Sequence, residues 1–295
     1  MTFRRTCLAL AICATLLGFA PIAAADQETD QARKIYKTHA DSILWIEAVL
    51  KVQFSAGSMP TRTQEEKQTL LGTVIDESGL MVCSLSQLDP ASLVDGQERN
   101  IRGERMKISA SSEFIEVKVR MPDKTEVPAK VVMKDTSWDL AFLMIDKSSD
   151  EFQGQSLSAV KLDPKVEATE LDKLVVIQRL GKAMKYTPAV DTTHVAAVVT
   201  KPRTLYVAGS RVLGTPVFKL DGKALGISIV WVNRQEGSGG PVILPAADVL
   251  EIAKQAEAAA AKMVEAENKA VEEIVEEATD EIVDDATEEI VEPAE

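Results

Sequence analysis

The chain has 295 residues, of which 45% are hydrophobic and 27% are charged, and its formal net charge is −13 at pH 7. This length is ample for one or two hydrophobic cores. Residues 251–295 hold 16 acidic and 3 basic residues, whereas residues 26–250 have a net charge near −2. We therefore expect a nearly neutral globule with an acidic tail. Nucleic-acid binding is disfavoured, because phosphate contacts need clustered Lys and Arg side chains.

The first 25 residues have the pattern of a secretory signal peptide. Arg4 and Arg5 precede an apolar run from Leu8 to Phe19, and Ala23–Ala25 forms a cleavage site. The apolar run is shorter than the roughly 20 residues that a membrane-spanning helix needs. The sequence therefore predicts an exported protein, periplasmic or secreted, with no transmembrane anchor after signal cleavage.

Removal of this signal would leave 270 of the 295 residues and one cysteine, Cys83. An exported chain with a single thiol has no internal disulfide, so its stability must come from a packed core. We expect Cys83 to be a small buried residue in the strand LMVCSL.

The first half of the mature chain is rich in short β-type runs. A short helix is expected over residues 27–40. Residues 55–68 are polar and are predicted to form an exposed loop, and residues 87–111 form another long polar stretch. EFIEVKVRM alternates apolar and charged residues, which is typical of a half-buried strand. The other predicted strands are ILWIEAVLKVQF, LLGTVID, GLMVCSL, VPAKVVMKD and LAFLMID.

The second half also contains short β-type runs, and its composition changes at Pro245. Its predicted strands are KLVVIQRL, THVAAVVT, TLYVAG, TPVFKL and ALGISIVWV. Many short strands without alternating helices predict an all-β sandwich or pair of barrels. Residues 245–261 are rich in Ala, Glu, Lys, Leu and Ile, which favours a helix.

From residue 272 the chain repeats with a period of eight, as EEIVEEAT, DEIVDDAT and EEIVEPAE. On a helix, carboxylates four residues apart repel, and each such pair costs about 0.2–0.5 kcal/mol. Two interpretations stay open. The tail is either solvated and partly disordered, or it is a helix whose Ile/Val stripe docks on a partner or whose carboxylates pair with a basic surface.

Several ordered motifs over residues 36–253 resemble the HtrA-type, trypsin-like serine protease domain. GTVIDESGLMVCSLSQL resembles the segment that carries the catalytic histidine. VKVRMPDKTEVPAKVVMKDTSWDLAFLMID resembles the segment of the aspartate, with its signature DLAxL. GSRVLGTPVFKLDGKALGI resembles the nucleophile segment, and VILPAADVLEIAKQ the closing helix.

This resemblance implies a fold of two antiparallel β-barrels followed by an acidic α-helical tail. The protease-like domain would cover residues 26–253, with one barrel at about 42–147 and the other at about 155–246. The helical or partly disordered tail would cover residues 254–295. Relatives of this type often carry a peptide-binding PDZ domain after the protease domain, and here the acidic tail takes that place.

The resemblance places the three catalytic positions at Ser86, Asp139 and Leu213. Only the aspartate is intact, because Ser86 stands in the histidine position and Leu213 in the serine position. The mechanism needs a hydroxyl nucleophile and an imidazole base, and a serine hydroxyl is no base near pH 7. The oxyanion-loop positions fall on Arg211 and Leu213, and Arg211 replaces a glycine.

Two further features of the sequence could supply catalytic groups that these three positions lack. The string Gly237–Pro241 also resembles a nucleophile motif, with Ser238 as the nucleophile, but no strand and D-G turn follow it. We interpret it as a flexible Gly/Ser loop. The two histidines, His39 and His194, are expected to be ordinary surface or half-buried imidazoles. Their spacing does not indicate a zinc site.

The sequence therefore predicts a proteolytically inactive trypsin-like domain that acts as an exported protein-binding, peptide-binding or scaffold module. The alternative is an active HtrA-like serine endopeptidase with a non-standard site, in which Ser238 is a weak candidate nucleophile. We expect a protein or peptide partner and no cofactor, metal or nucleic acid. Homo-oligomerisation stays open.

Overall fold

The computed structural model describes residues 20–101, 103–201, 203–210, 212–233 and 238–288. Within these ranges the chain forms two closed, six-stranded, antiparallel β-barrels and a C-terminal helix. The predicted all-β, two-barrel architecture is therefore confirmed.

The N-terminal helix α1, Ala20–His39, leads through a 3₁₀ turn at Ala40–Ser42 into the first barrel. Helix α1 nevertheless packs on the second barrel. Ile35 is buried in the core, and the Tyr36 hydroxyl donates to the Pro188 carbonyl at 3.4 Å. Helix α1 therefore packs against the second barrel, although it precedes the first barrel in the sequence.

The first barrel closes in the order β1-β2-β3-β7-β6-β5, because β1 pairs with both β2 and β5. Strand β4 extends the sheet beyond β5, and two short helices, α2 and α3, follow β3. The elements are β1 (Ile43–Ala56), β2 (Arg62–Val74), β3 (Leu80–Ser84), α2 (Leu85–Leu88), α3 (Pro90–Val94), β4 (Glu98–Ile101), β5 (Glu104–Arg120), β6 (Glu126–Asp135) and β7 (Leu140–Ile145).

The prediction that residues 55–68 form an exposed loop was wrong, and the polar stretch 87–111 also contains strands. Most of these residues belong to β1, β2, β4 and β5, and the ladder between β1 and β2 runs out to Phe54 opposite Arg62. The distal parts of these strands project beyond the barrel, where the side chains are largely exposed. Polar residues are compatible with such a ribbon, because the backbone ladder holds it together without a buried face.

The second barrel closes in the order β10-β13-β12-β11-β8-β9. Between β10 and β13 the register contains only Tyr206 opposite Ile243, so these two strands diverge on either side of that pair. The strands are β8 (Lys173–Arg179), β9 (Pro188–Val199), β10 (Leu205–Ala208), β11 (Pro216–Lys219), β12 (Ala224–Asn233) and β13 (Ser238–Pro245).

Helix α4, Ala246–Glu288, follows the second barrel and has 43 residues, or about 65 Å of helix. Its first half is docked, since Ala256 and Ala260 are buried and Glu267 accepts from the Lys130 ammonium at 2.7 Å. The predicted boundary between residues 253 and 254 therefore lies inside a continuous helix. Of the two interpretations of the tail, the backbone is helical to Glu288, and residues 289–295 lie outside the described ranges. No described helix combines the length and the apolarity needed to cross a membrane.

The two barrels share one apolar layer. Phe142 from the first barrel and Phe218 from the second belong to the same buried cluster, together with residues of α1 and α4. A buried arginine reinforces this layer, because Arg179 donates to the carbonyls of Ile43 and Ala40, at 2.6 and 2.9 Å. A buried guanidinium is tolerated only when its donors are satisfied, so this network fixes how the barrels meet.

Two strand glycines of the second barrel give a matched test of this packing. A Cβ atom at Gly226 would lie 1.9 Å from the Leu244 carbonyl oxygen, whereas one at Gly240 would meet nothing within 4 Å. Gly226→Ala should lower the free energy of unfolding by about 3 kcal/mol or prevent folding, because a backbone oxygen cannot give way. Gly240→Ala should be neutral or slightly stabilising. Urea unfolding of both variants makes the comparison, and equal stabilities would contradict the close approach of β12 and β13.

Candidate functional site at the seam of the two barrels

Asp139 lies in the turn before β7, at the seam where the barrels meet, and is only 5% exposed. Its backbone has φ of +54°, in the left-handed region that Asp and Asn adopt more readily than most residues. This conformation precedes the buried strand Leu140–Ile145 and turns the residue away from the ladder. A short polar side chain therefore occupies a position whose backbone has the left-handed conformation.

The Asp139 carboxylate accepts three hydrogen bonds that come from both barrels. The Ser86 amide donates to Oδ1 at 2.6 Å, and the Ser84 hydroxyl donates to Oδ2 at 2.8 Å. From the second barrel, the Val230 amide donates to Oδ2 at 2.9 Å. A buried carboxylate is stabilised by such donors, so Asp139 links β3, α2 and β12.

Ser86 begins a short chain of hydroxyl groups that ends at the carboxylate. Its Oγ lies 2.9 Å from the Ser84 Oγ, which in turn donates to Asp139. Ser84 is fully buried, whereas Ser86 is half-buried. The structure thus brings Ser86 and Asp139 together. Sequence reasoning missed Ser84. The one feature of the sequence that could have indicated it is the position of its hydroxyl, two residues before Ser86 at the end of β3.

The loop that contains Leu213 and Gly214 packs directly against this network. A Cβ atom at Gly214 would lie 2.4 Å from the Leu71 carbonyl oxygen and 3.2 Å from the Ser84 amide nitrogen. With φ of +73°, this position requires glycine. The Gly214 carbonyl accepts from the Thr73 hydroxyl at 2.8 Å, which ties the loop to the first barrel.

Leu213 precedes this glycine and is half-buried. It lines the cleft between the barrels, as does Gln87, the residue after Ser86. The position that the resemblance assigns to the nucleophile therefore lies near the position assigned to the histidine, but it carries an alkyl side chain. Arg211, the other oxyanion-loop position, lies outside the described residues.

The other candidates lie apart from Asp139. Ser238 is the first residue of β13 and pairs with Asn233, three residues along β12 from Val230. The interpretation of this glycine-rich string as a flexible loop was wrong for the described residues 238–241, because they form a strand. Its ladder with β12 explains this, since Gly239 allows a backbone approach that a side chain would block.

The two histidines are also remote from the carboxylate. His39, at the end of α1, stacks on Phe218 with ring centroids 4.6 Å apart, and burial lowers its pKa from the ordinary value. His194 is exposed on β9, opposite Lys173. Neither imidazole is hydrogen-bonded to Asp139. The described residues contain no cluster of His, Cys, Asp and Glu that could hold a metal ion.

Cys83 immediately precedes Ser84 and is buried in β3. Burial raises the pKa of its thiol far above the ordinary value, and the neighbouring Asp139 charge adds to this effect. Because the thiolate is the reactive form, Cys83 is a core residue and not a nucleophile.

Two pockets lie along the seam, and a third is lined by residues of the second barrel. The central cleft, of about 290 Å³, separates the barrels and is lined by Trp45, Thr69, Leu71, Gln87, Gly181 and Leu213 among others. The charged pocket, of about 500 Å³, adjoins it and shares Trp45, Thr69 and Gly181. The apolar pocket, of about 460 Å³, opens where β10 and β13 diverge and is lined by Val207, Ala208, Gly209, Trp231, Gly240 and Pro241 among others.

No protein-family model matches this chain, and no curated protein matches its sequence. The relationship to HtrA-type proteases therefore remains a proposal. The site contains a buried carboxylate, Asp139, that accepts from one hydroxyl and two amides and lies next to the central cleft. No imidazole lies within hydrogen-bond distance of this carboxylate among the described residues. Such a group can position the backbone segments that donate to it.

Substitution of Asp139 tests its role as a structural link. Asp139→Ala leaves the Ser86 and Val230 amides without an acceptor. Each buried unsatisfied donor costs about 1–3 kcal/mol, so the free energy of unfolding should fall by about 3 kcal/mol or more. Asp139→Asn should cost less, because its amide oxygen still accepts and Asn tolerates positive φ. Urea unfolding measures both, and an unchanged stability of the alanine variant would rule out the link.

Proposed function

We propose that this chain is an exported, non-catalytic peptide-binding module that holds an extended peptide by strand addition to β12. The observation that carries this proposal is a strand edge next to Asp139 that no described strand covers. Strand β12 keeps its ladder with β13 through Asn233, whereas its pairing with β11 ends at Ile227. Beyond Ile227, no strand of the described residues covers the second edge of β12.

The direction of this edge follows from alternation along the strand. The Ser228 amide donates to the Thr215 carbonyl at 2.9 Å, and the Val230 amide donates to Asp139. Backbone groups of every second residue point to the same edge of a strand, so the Val232 amide and carbonyl point that way too. Val232 is 50% exposed. Among the described residues, no strand pairs with Val232 on this edge, so we infer that its backbone donor and acceptor can bind an incoming strand.

The surroundings of this edge suit an extended peptide with an apolar side chain. Trp231 and Pro241 line the apolar pocket, whose wall is formed mainly by carbon. In strand addition, main-chain hydrogen bonds supply affinity and flanking pockets supply specificity. The apolar pocket would then select one side chain, while the central cleft accommodates the neighbouring residues.

Inactivity towards peptide bonds is supported by the groups at the seam. Leu213 has no hydroxyl, and the donors to the Asp139 carboxylate are a serine hydroxyl and two amides. The order of the protease-like motifs and the two-barrel fold support descent from an HtrA-type protease. The export proposal rests on the signal-like residues 1–25, of which residues 1–19 lie outside the described ranges.

The edge of β12 can be tested by removing one donor. Peptides selected from a displayed library of random dodecamers on the full mature chain serve as probes. Val232→Pro removes the amide that faces the edge, and Val232→Ala keeps it while shortening the side chain. We expect the proline variant to weaken peptide binding by about tenfold or more, as measured by calorimetry, because one main-chain hydrogen bond is lost and the edge is blocked.

The alanine variant should retain the wild-type affinity within about threefold, because it leaves the main chain unchanged. Equal binding by the wild-type protein and the folded proline variant would refute strand addition at β12. Failure to select any peptide would refute the peptide-binding function itself.

Catalytic inactivity has a separate test with a fluorophosphonate probe, which modifies activated serine nucleophiles. We expect no labelling of the full chain under conditions that label trypsin, because the described seam has no imidazole beside a hydroxyl. Labelling that disappears in Ser238→Ala would replace the proposal with the alternative of an active hydrolase.

A further inference from the structure

The charged pocket is formed where strands of the first barrel meet the 3₁₀ turn Lys182–Met184 of the second. Its walls come from β1, β2, β5 and β6 and from residues 181–186. It contains four cationic side chains, Lys67, Lys118, Arg120 and Lys182, and three carboxylates, Glu47, Glu116 and Glu126. The pocket is therefore net positive by one charge in a chain whose net charge is −13.

Most of these charges are neutralised by one another. Glu47 accepts from Lys67 and from Arg120, each at 2.7 Å. Arg120 also pairs with Glu126. The two cations lower the pKa of Glu47 through hydrogen bonds, so this carboxylate stays ionised and occupied.

Glu116 is engaged in the same way, by Lys118 at 2.5 Å. The three carboxylates of the pocket thus all have cationic partners. Lys182, in contrast, forms no ion pair or hydrogen bond through its ammonium group with any described residue, although it lines the pocket. The surplus positive charge resides on this exposed lysine.

The floor of the pocket is rigid and partly aromatic. The Arg120 guanidinium lies 4.6 Å from the centre of the Tyr186 ring, and Trp45 meets the same ring edge-on at 6.2 Å. The Trp45 indole donates to the Leu180 carbonyl at 3.1 Å. These contacts fix the aromatic side chains, which can pack against the methylene groups of a ligand.

We propose that the charged pocket binds an acidic side chain of the peptide that occupies the central cleft. This inference rests on the proposed function, and the two sites are continuous through Trp45, Thr69 and Gly181. The Lys182 ammonium pairs with the ligand carboxylate, while Tyr186 and Trp45 contact its aliphatic part. The module then selects peptides with an acidic residue at a fixed distance from the residue in the apolar pocket.

The probe for this site is N-acetyl-glutamate N-methylamide, with the glutamine compound as the neutral control. Binding is followed by the indole N–H resonance of Trp45, assigned with Trp45→Phe, in spectra of the ¹⁵N-labelled full mature chain. We expect a saturable shift with the glutamate probe at millimolar concentration and none with the glutamine probe, because only the carboxylate pairs with the lysine.

Lys182→Glu and Lys185→Glu form a matched pair of variants. Both reverse a charge in the same loop, but only residue 182 lines the pocket. The Lys182 variant should bind the glutamate probe about tenfold more weakly, whereas the Lys185 variant should change the affinity less than about twofold.

Equal shifts with the glutamate and glutamine probes, no shift with either, or equal effects of the two lysine variants would each overturn this assignment. None of these results depends on strand addition, because the probe has no strand to add. Loss of peptide binding in Val232→Pro with an unresponsive charged pocket would leave the proposed function standing and remove only the acidic specificity.

Discussion

The buried carboxylate of Asp139 is the interaction on which the arrangement of the seam depends. It joins amides and a hydroxyl from two barrels whose strands are far apart in sequence. A charge in the interior is tolerated only when donors surround it, so the segments that supply those donors are held in fixed relative positions. In this structure the carboxylate fixes where β12 begins its unpaired edge, and this is the edge that we propose as the peptide site.

The neighbouring loop combines a strict backbone constraint with an unreactive side chain. Gly214 satisfies a close approach between barrels that no other residue permits, whereas Leu213 beside it carries no reactive group. The backbone constraints are thus independent of a nucleophile. Binding by main-chain groups needs only those constraints, because strand addition uses amides and carbonyls that every residue supplies.

Sequence reasoning anticipated the two-barrel fold. It also assigned Ser86 and Asp139 to a single site, and the structure brings these two residues into contact. It missed Ser84, because the sequence of an apolar strand does not show whether a serine in it forms a side-chain hydrogen bond or only occupies space in the core. It also missed the parts of β2 and β5 that extend beyond the barrel, since exposed strands with polar side chains on both faces lose the alternation by which strands are recognised. The glycine-rich string at residues 238–241 was mistaken for a loop for a related reason, because glycine is depleted in most strands.

By itself the sequence determined the class of fold, the acidic tail and the residue types at positions 86, 139 and 213, because these depend on residue identity and on local periodicity. Tertiary structure alone decided which edge of β12 no described strand covers, which carboxylates of the charged pocket already have cationic partners, and that Lys182 has no ionic partner among the described residues. Those properties come from contacts between residues that are distant in the chain. Local patterns cannot specify such contacts, because pairing and charge neutralisation are set by what the folded chain brings within a few ångströms.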